Sequence, residues 1–115
     1  MTGDGRMASK LVDELELLGR HILMLRATKE NEPIGIVRLS EILGIPTHRV
    51  RYSLRLLERD GLIIPTQEGA RVTEDYERYM AELSDLLESL IPRIEGLLAE
   101  TTQASGGRGR ADVNV

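Results

Sequence analysis

Residues 44–61 read Gly44-Ile45-Pro46-Thr47-His48-Arg49-Val50-Arg51-Tyr52-Ser53-Leu54-Arg55-Leu56-Leu57-Glu58-Arg59-Asp60-Gly61. At about 100° per residue, a helix over residues 47–60 gathers Val50, Leu54 and Leu57 on one face. The opposite face collects His48, Arg51, Tyr52, Arg55 and Arg59. One face is built to pack, and the other carries cationic and hydrogen-bonding side chains. Four arginines against Glu58 and Asp60 leave these fourteen residues at +2, within a chain whose net charge is -4. Positive charge is therefore concentrated here and is not a general property of the protein.

The residues just before supply a frame for that helix. Ile36, Val37, Leu39, Ile42 and Leu43 mark a short helix, and Gly44 is suited to end it because glycine takes positive φ at little cost. Pro46 cannot continue that helix. The hydroxyl of Thr47 is expected to cap the next one. The expected unit is helix, tight turn, helix.

After Gly61 the pattern changes period. Leu62-Ile63-Ile64-Pro65-Thr66 and Ala70-Arg71-Val72-Thr73 flank Gln67-Glu68-Gly69, which predicts a small β-hairpin over residues 62–73 with Gly69 at the turn. Pro65 has no N–H to give to a ladder and belongs on an edge. Upstream, Leu11, Leu15, Leu18, Ile22 and Leu25 recur at spacings of three and four, widened by Val12 and Met24. They predict a core helix over residues 10–28, capped by Ser9. Residues 29–33 form a charged connector ending at Pro33, and Ile34-Gly35-Ile36 reads as a very short strand or as the entry to the second helix. His21 reads as a partly buried structural residue, since nothing nearby completes a metal site.

The final helical pattern runs from about residue 74 to 99. Tyr76, Tyr79, Met80, Leu83, Leu86, Leu87, Leu90, Ile94 and Leu97 form one broad apolar face with acids on the other side. Thr73 is expected to cap this helix, and Pro92 is expected to kink or restart it near Ile91. A helix of that length extends roughly 40 Å, more than a small core covers, so part of its face is expected to meet a second chain. Residues 74–100 carry eight acids against Arg78 and Arg93, and that net of -6 disfavours contact with a polyanion.

Composition sets the outer limits. A chain of 115 residues, 41% apolar, holds one modest core, and without Phe or Trp that core is aliphatic. The absence of Cys removes disulfides and thiolate chemistry. No apolar run approaches the roughly 18 residues that span a bilayer. We expect a soluble, cytoplasmic protein with no membrane contact. Catalysis is not expected either, because the chain shows no Gly-rich phosphate loop, no His pair at ligand spacing and no nucleophile beside a base. No cofactor or metal is expected.

The string of residues 39–45, then Val50, Leu54 and Leu57-Glu58-Arg59-Asp60-Gly61-Leu62-Ile63, then Gly69-Ala70-Arg71-Val72-Thr73-Glu74, resembles the winged helix-turn-helix transcriptional regulators of archaea and bacteria, of the broad MarR and PadR type. The resemblance spans about residues 11–72. It implies a mainly α fold with a β-hairpin wing, a third helix that enters the DNA major groove, and a homodimer built by terminal helices. It also places Thr47, His48, Arg51, Tyr52 and Arg55 toward the groove, with residues 67–69 and Arg71 on the wing. This sequence departs from the family at Pro46, where many relatives have a capping Ser, and at Glu68, an acid at the wing tip.

Side-chain chemistry points the same way. Arginine binds guanine O6 and N7 through its planar fork, and it also pairs with phosphate oxygens. Arg51 and Arg55 lie one turn apart and reach one groove, whereas Arg49 and Arg59 are better placed for backbone contacts. The expected DNA-binding set is Thr47, His48, Arg49, Arg51, Tyr52, Arg55, Arg59 and Arg71. The expected dimer interface is Leu11, Leu15, Tyr76, Tyr79, Met80, Leu83, Leu86, Leu87 and Leu90.

The expected organisation is a disordered leader over residues 1–8, a winged helix-turn-helix over 9–73, a dimerisation helix over 74–100 and a disordered tail over 101–115. The tail's Arg108 and Arg110 are read as solvated. The expected partners are double-stranded DNA, a second copy of the chain and the transcription machinery. Two alternatives stand beside this reading: a winged-helix protein-protein interaction module, and a non-specific architectural DNA binder.

Overall fold

The computed structural model describes residues 2–106. It is mainly helical with one two-stranded hairpin, in the order α1 (Thr2–Asn31), α2 (Ile36–Leu43), α3 (Thr47–Arg59), β1 (Ile63–Thr66), β2 (Gly69–Val72) and α4 (Tyr76–Ala104). The chain divides into two compact units, the first ending at Glu77 and the second beginning at Arg78.

The core of the first unit is aliphatic. Met24, Leu25 and Ala27 from α1 pack with Leu39 from α2, Val50, Leu54 and Leu57 from α3, and Leu62 and Ile63 at the start of the hairpin. Burying each of the Met, Leu, Ile and Val side chains stabilises by roughly 1.5–3 kcal/mol, which lets these elements hold together. Only the C-terminal half of α1 takes part. Leu11, Val12 and Leu15, expected in the core face, are exposed, while Leu18 and Ile22 are half-buried.

Helix α1 begins at Thr2, not after a leader ending at residue 8. Nothing before Pro33 removes a backbone donor, and a nucleated helix propagates one hydrogen bond per residue without needing an apolar face. The connector is correspondingly short, since residues 29–31 remain helical. Glu32 then ties it to the hairpin, its carboxylate accepting from Val72 N–H at 2.8 Å.

The α2–α3 turn follows the expected chemistry with one change. Gly44 ends α2 at φ 66°, in the left-handed region, and its N–H donates to Ser40 C=O. The Ser40 hydroxyl donates to Ile45 C=O, bracing the turn. Thr47 is the first residue inside α3, so it cannot cap the helix. Pro46 occupies that position, with no side-chain cap, and its carbonyl accepts from Arg49 and Val50 N–H.

The hairpin pairs Ile63 with Val72, Ile64 with Arg71, Pro65 with Ala70 and Thr66 with Gly69, so the turn itself is Gln67-Glu68. Gly69 lies within β2 for a different reason. Its φ is +136°, and a Cβ there would stand 2.7 Å from the backbone of Ile34. Ile34 forms a bridge beside β2, exchanging both N–H···O=C bonds with Ala70 at 3.1 and 2.7 Å. Ala70 therefore turns its polar groups away from Pro65, which sits where no donor is wanted. Ile34-Gly35-Ile36 serves both expected roles: Ile34 bridges and Ile36 opens α2.

Between the hairpin and α4, Thr73 Oγ1 donates to Gly61 C=O at 2.6 Å and accepts from Asp75 N–H at 3.3 Å. Residues 74–75 form a turn, and α4 starts at Tyr76, two residues later than expected. The Lys29 ammonium sits 5.8 Å from the Tyr76 ring centroid, within cation–π range.

The second unit is the body of α4. It is helical through Pro92, without the expected restart near Ile91, and it continues to Ala104. Proline's fixed φ is already helical, so the cost is one lost bond and crowding of the carbonyl of Glu88. Residues 91–100 and Glu88 are all exposed, leaving that carbonyl to water. Residues 101–104 are thus helical, and the remainder of the expected tail, residues 107–115 with Arg108 and Arg110, lies outside the described residues. No described helix is long and apolar enough to cross a membrane.

Candidate nucleic-acid interface

Helix α3 separates two chemistries as its sequence requires. Val50, Ser53, Leu54 and Leu57 are buried. Thr47, His48, Arg49, Arg51, Tyr52, Arg55 and Arg59 are all exposed. The seven expected contact residues of this helix therefore lie on solvent-facing surface.

Their charge is largely uncompensated. The side chains of Arg49, Arg51 and Arg55 make no ion pair or hydrogen bond among the described residues. Arg59 differs, because its Nε lies 3.8 Å from the Asp60 carboxylate. Both groups are exposed, and such a pair is worth little in water. Tyr52 is 50% exposed, presenting an aromatic ring beside Arg51 and Arg55.

The start of α3 adds partial positive charge. With Pro46 as an N-cap lacking a side-chain acceptor, the N–H groups of Thr47 and His48 have no partner among the described residues. Unpaired first-turn N–H groups attract anionic oxygens.

Arg71 lies on β2, exposed, directly across from exposed Ile64. Gln67 and Glu68 form the hairpin tip, also exposed. The hairpin thus offers one cation on its strand and one acid at its tip.

Local patterning does not single out Arg20. Its Nε donates to Ser53 Oγ at 3.0 Å, joining α1 to the buried face of α3. The signal available was the placement of Ser53 itself, one helical step from Val50 and Leu57 on an otherwise apolar stripe. Arg20 also lines an open cleft of about 440 Å³ with Glu16, Leu23, Ile45, Pro46 and Arg49. His21, the next residue, is half-buried with its Nε2 lacking a partner. Burial pushes its pKa below the ordinary 6.5, neighbouring Arg20 pushes the same way, and Asp60 opposes both.

The expected self-association surface is only partly open. On α1, Leu11 is 62% and Leu15 55% exposed. On α4, Leu86 is 51% exposed, while Tyr76, Tyr79, Met80, Leu87 and Leu90 are half-buried. Leu83 is already buried in the single chain, with 8% exposure. Met7, Ile91, Ile94, Leu97 and Leu98, outside the expected set, are exposed and apolar.

No protein-family model matches the chain, and no curated protein matches it. Among solved structures, a protein of unknown function from Listeria innocua Clip11262 is similar over 97% of this chain and 91% of its own. The two share 16% of their residues and superpose with a TM-score of 0.50. At that identity the likeness is one of fold: a mainly helical chain carrying a small antiparallel hairpin.

Proposed function

We propose that this chain is a sequence-specific DNA-binding transcriptional regulator acting as a homodimer in the cytoplasm. Helix α3 enters the major groove, and the hairpin lies on the adjacent backbone or minor groove. One observation carries the reading. The exposed surface of α3 presents Arg51 and Arg55 on its outer face and Arg49 on its flank, all without acidic partners, against a packed inner face. A solvated helix in an acidic protein has no need of three unpaired arginines backed by a helix-turn-helix frame. The resemblance to winged helix-turn-helix regulators supports the same assignment.

In this reading Arg51 and Arg55 read base edges, while Arg49, Arg59 and Arg71 hold phosphates. The open N–H groups of Thr47 and His48 add a further seat for a phosphate oxygen. Two copies joined through α1 and α4 present two such helices about 34 Å apart for half-sites one turn apart. Bound near a promoter, the dimer blocks or recruits the transcription machinery. The net charge of -6 over residues 74–100 disfavours their contact with the duplex.

The test is capture of genomic DNA fragments on the purified protein at physiological salt, followed by sequencing. Enrichment of a two-fold symmetric motif is the expected result. Even recovery of all sequences would replace this reading with architectural binding, and no recovery would replace it with a protein-interaction module. On an enriched site, Arg51→Ala and Arg55→Ala should each cost about 1–3 kcal/mol in fluorescence-anisotropy titrations and relax base choice. Parental affinity and sequence preference in both variants would remove α3 from the groove.

A further inference from the structure

Ser53 is the one polar side chain on the packed face of α3, and it is 0% exposed. Its bond from Arg20 is a side-chain-to-side-chain hydrogen bond that joins two different elements, α1 and α3. We propose that Arg20 is a positioning residue. By donating Nε–H to Ser53 it holds α3 in one rotational and axial setting against α1, and so sets where Arg51 and Arg55 are presented. The proposal rests on the DNA-binding reading above and extends it to a residue that touches no DNA.

The physical case is one of direction. Val50, Leu54 and Leu57 bury apolar surface, and that driving force is non-directional. Such a stripe tolerates rotation or a small slide with little change in area. A hydrogen bond does not, because it weakens steeply away from its preferred length and angle. One buried acceptor at the centre of the stripe selects a single setting among several of similar apolar contact, the role best attested for isolated buried polar groups.

The donor is suited to this task. Arg20 is only half-buried and lines the open cleft, which Glu16 also lines. Its charge is therefore not stranded, so the contact constrains geometry without demanding full desolvation. Arg20 also lies on the helix that carries exposed Leu11 and Leu15, so any partner held there is linked to α3 through this bond.

The test uses full-length protein with Ser53→Ala, Arg20→Met, Arg20→Lys and the Arg20→Met/Ser53→Ala double variant. Amide hydrogen exchange is read along α3 in free protein, and half-site spacing is read by selection from random DNA. Expected is about tenfold faster exchange in α3 for every single variant, with α2 and the hairpin unchanged, and a double variant no worse than either single. Selected sites should accept several spacings where the parent accepts one. A merely structural role would lower affinity evenly and leave spacing alone. Parental exchange and spacing in Arg20→Met, full rescue by Arg20→Lys, or additive effects in the double variant would each overturn the proposal. If Ser53→Ala does not fold, the two Arg20 variants decide alone. If the parent enriches no DNA motif, the regulator reading falls, and the exchange profiles still decide whether Arg20 positions α3.

Discussion

At the residue scale, His21 and Gly69 each hold a position that their neighbours dictate. Because burial lowers the His21 pKa, the folded state binds its proton less readily than the unfolded chain does. Its contribution to stability is complete above pH 6.5, the ordinary imidazole value, and is lost as pH falls through the lowered folded value. Urea unfolding should therefore show a midpoint that declines below about pH 6.5, and His21→Leu should flatten that part of the profile. An unchanged decline in the variant would assign it to another group. Gly69 is constrained twice, by its positive φ and by the Ile34 backbone that a Cβ would strike. Gly69→Ala should destabilise by about 1–3 kcal/mol in equilibrium unfolding. A cost near zero would mean that the Ile34–Ala70 bridge yields easily.

At the element scale, legibility followed the range of the interactions. The α2–α3 turn was readable because Gly44 and Pro46 act on their own backbones, and the outward set on α3 was readable because helical periodicity needs no partner. The cap of α3 was misread by one residue, since Pro46 takes over the position that Thr47 would have filled. The first turns of α1 were invisible to a pattern search, because helix propagation leaves no apolar signature there. Ser53 appeared as a gap in a stripe, but its meaning depends on Arg20, thirty-three residues away. Gly69 reads as a turn residue in the sequence, but its constraint comes from Ile34, again a distant segment. Pro92 reads as a helix breaker in the sequence, although an exposed helix that gives the freed carbonyl to water absorbs it. Pro92→Ala should restore one backbone bond and raise the stability of α4 by roughly 1–3 kcal/mol. The check is amide exchange and circular dichroism of the full chain, and a loss of helicity on substitution would show that proline is favoured there.

At the scale of the whole molecule, charge and apolar surface are sorted by place. The cations of α3 stand on a protein of net charge -4, and residues 74–100 carry -6 of their own. On the proposed regulator reading, DNA affinity should therefore come from ionic contacts made by this one face. If the dimer neutralises about 6–10 phosphates, affinity should fall by about 10³–10⁵ between 50 and 200 mM salt. A shallow slope in a titration series would contradict the cationic-face reading. Sedimentation should show self-association, reduced by Leu11→Asp with Leu15→Asp, since both side chains are exposed in the single chain.

The hairpin is held along its length but not at its end. Ile34 pairs with Ala70, Glu32 holds Val72, and Thr73 holds Gly61, while Gln67 and Glu68 are exposed. Added residues between Gln67 and Glu68 would lengthen the projection without touching the core or α3. The reach of the hairpin and the outer face of α3 can therefore be altered independently, by insertion at one and substitution at the other.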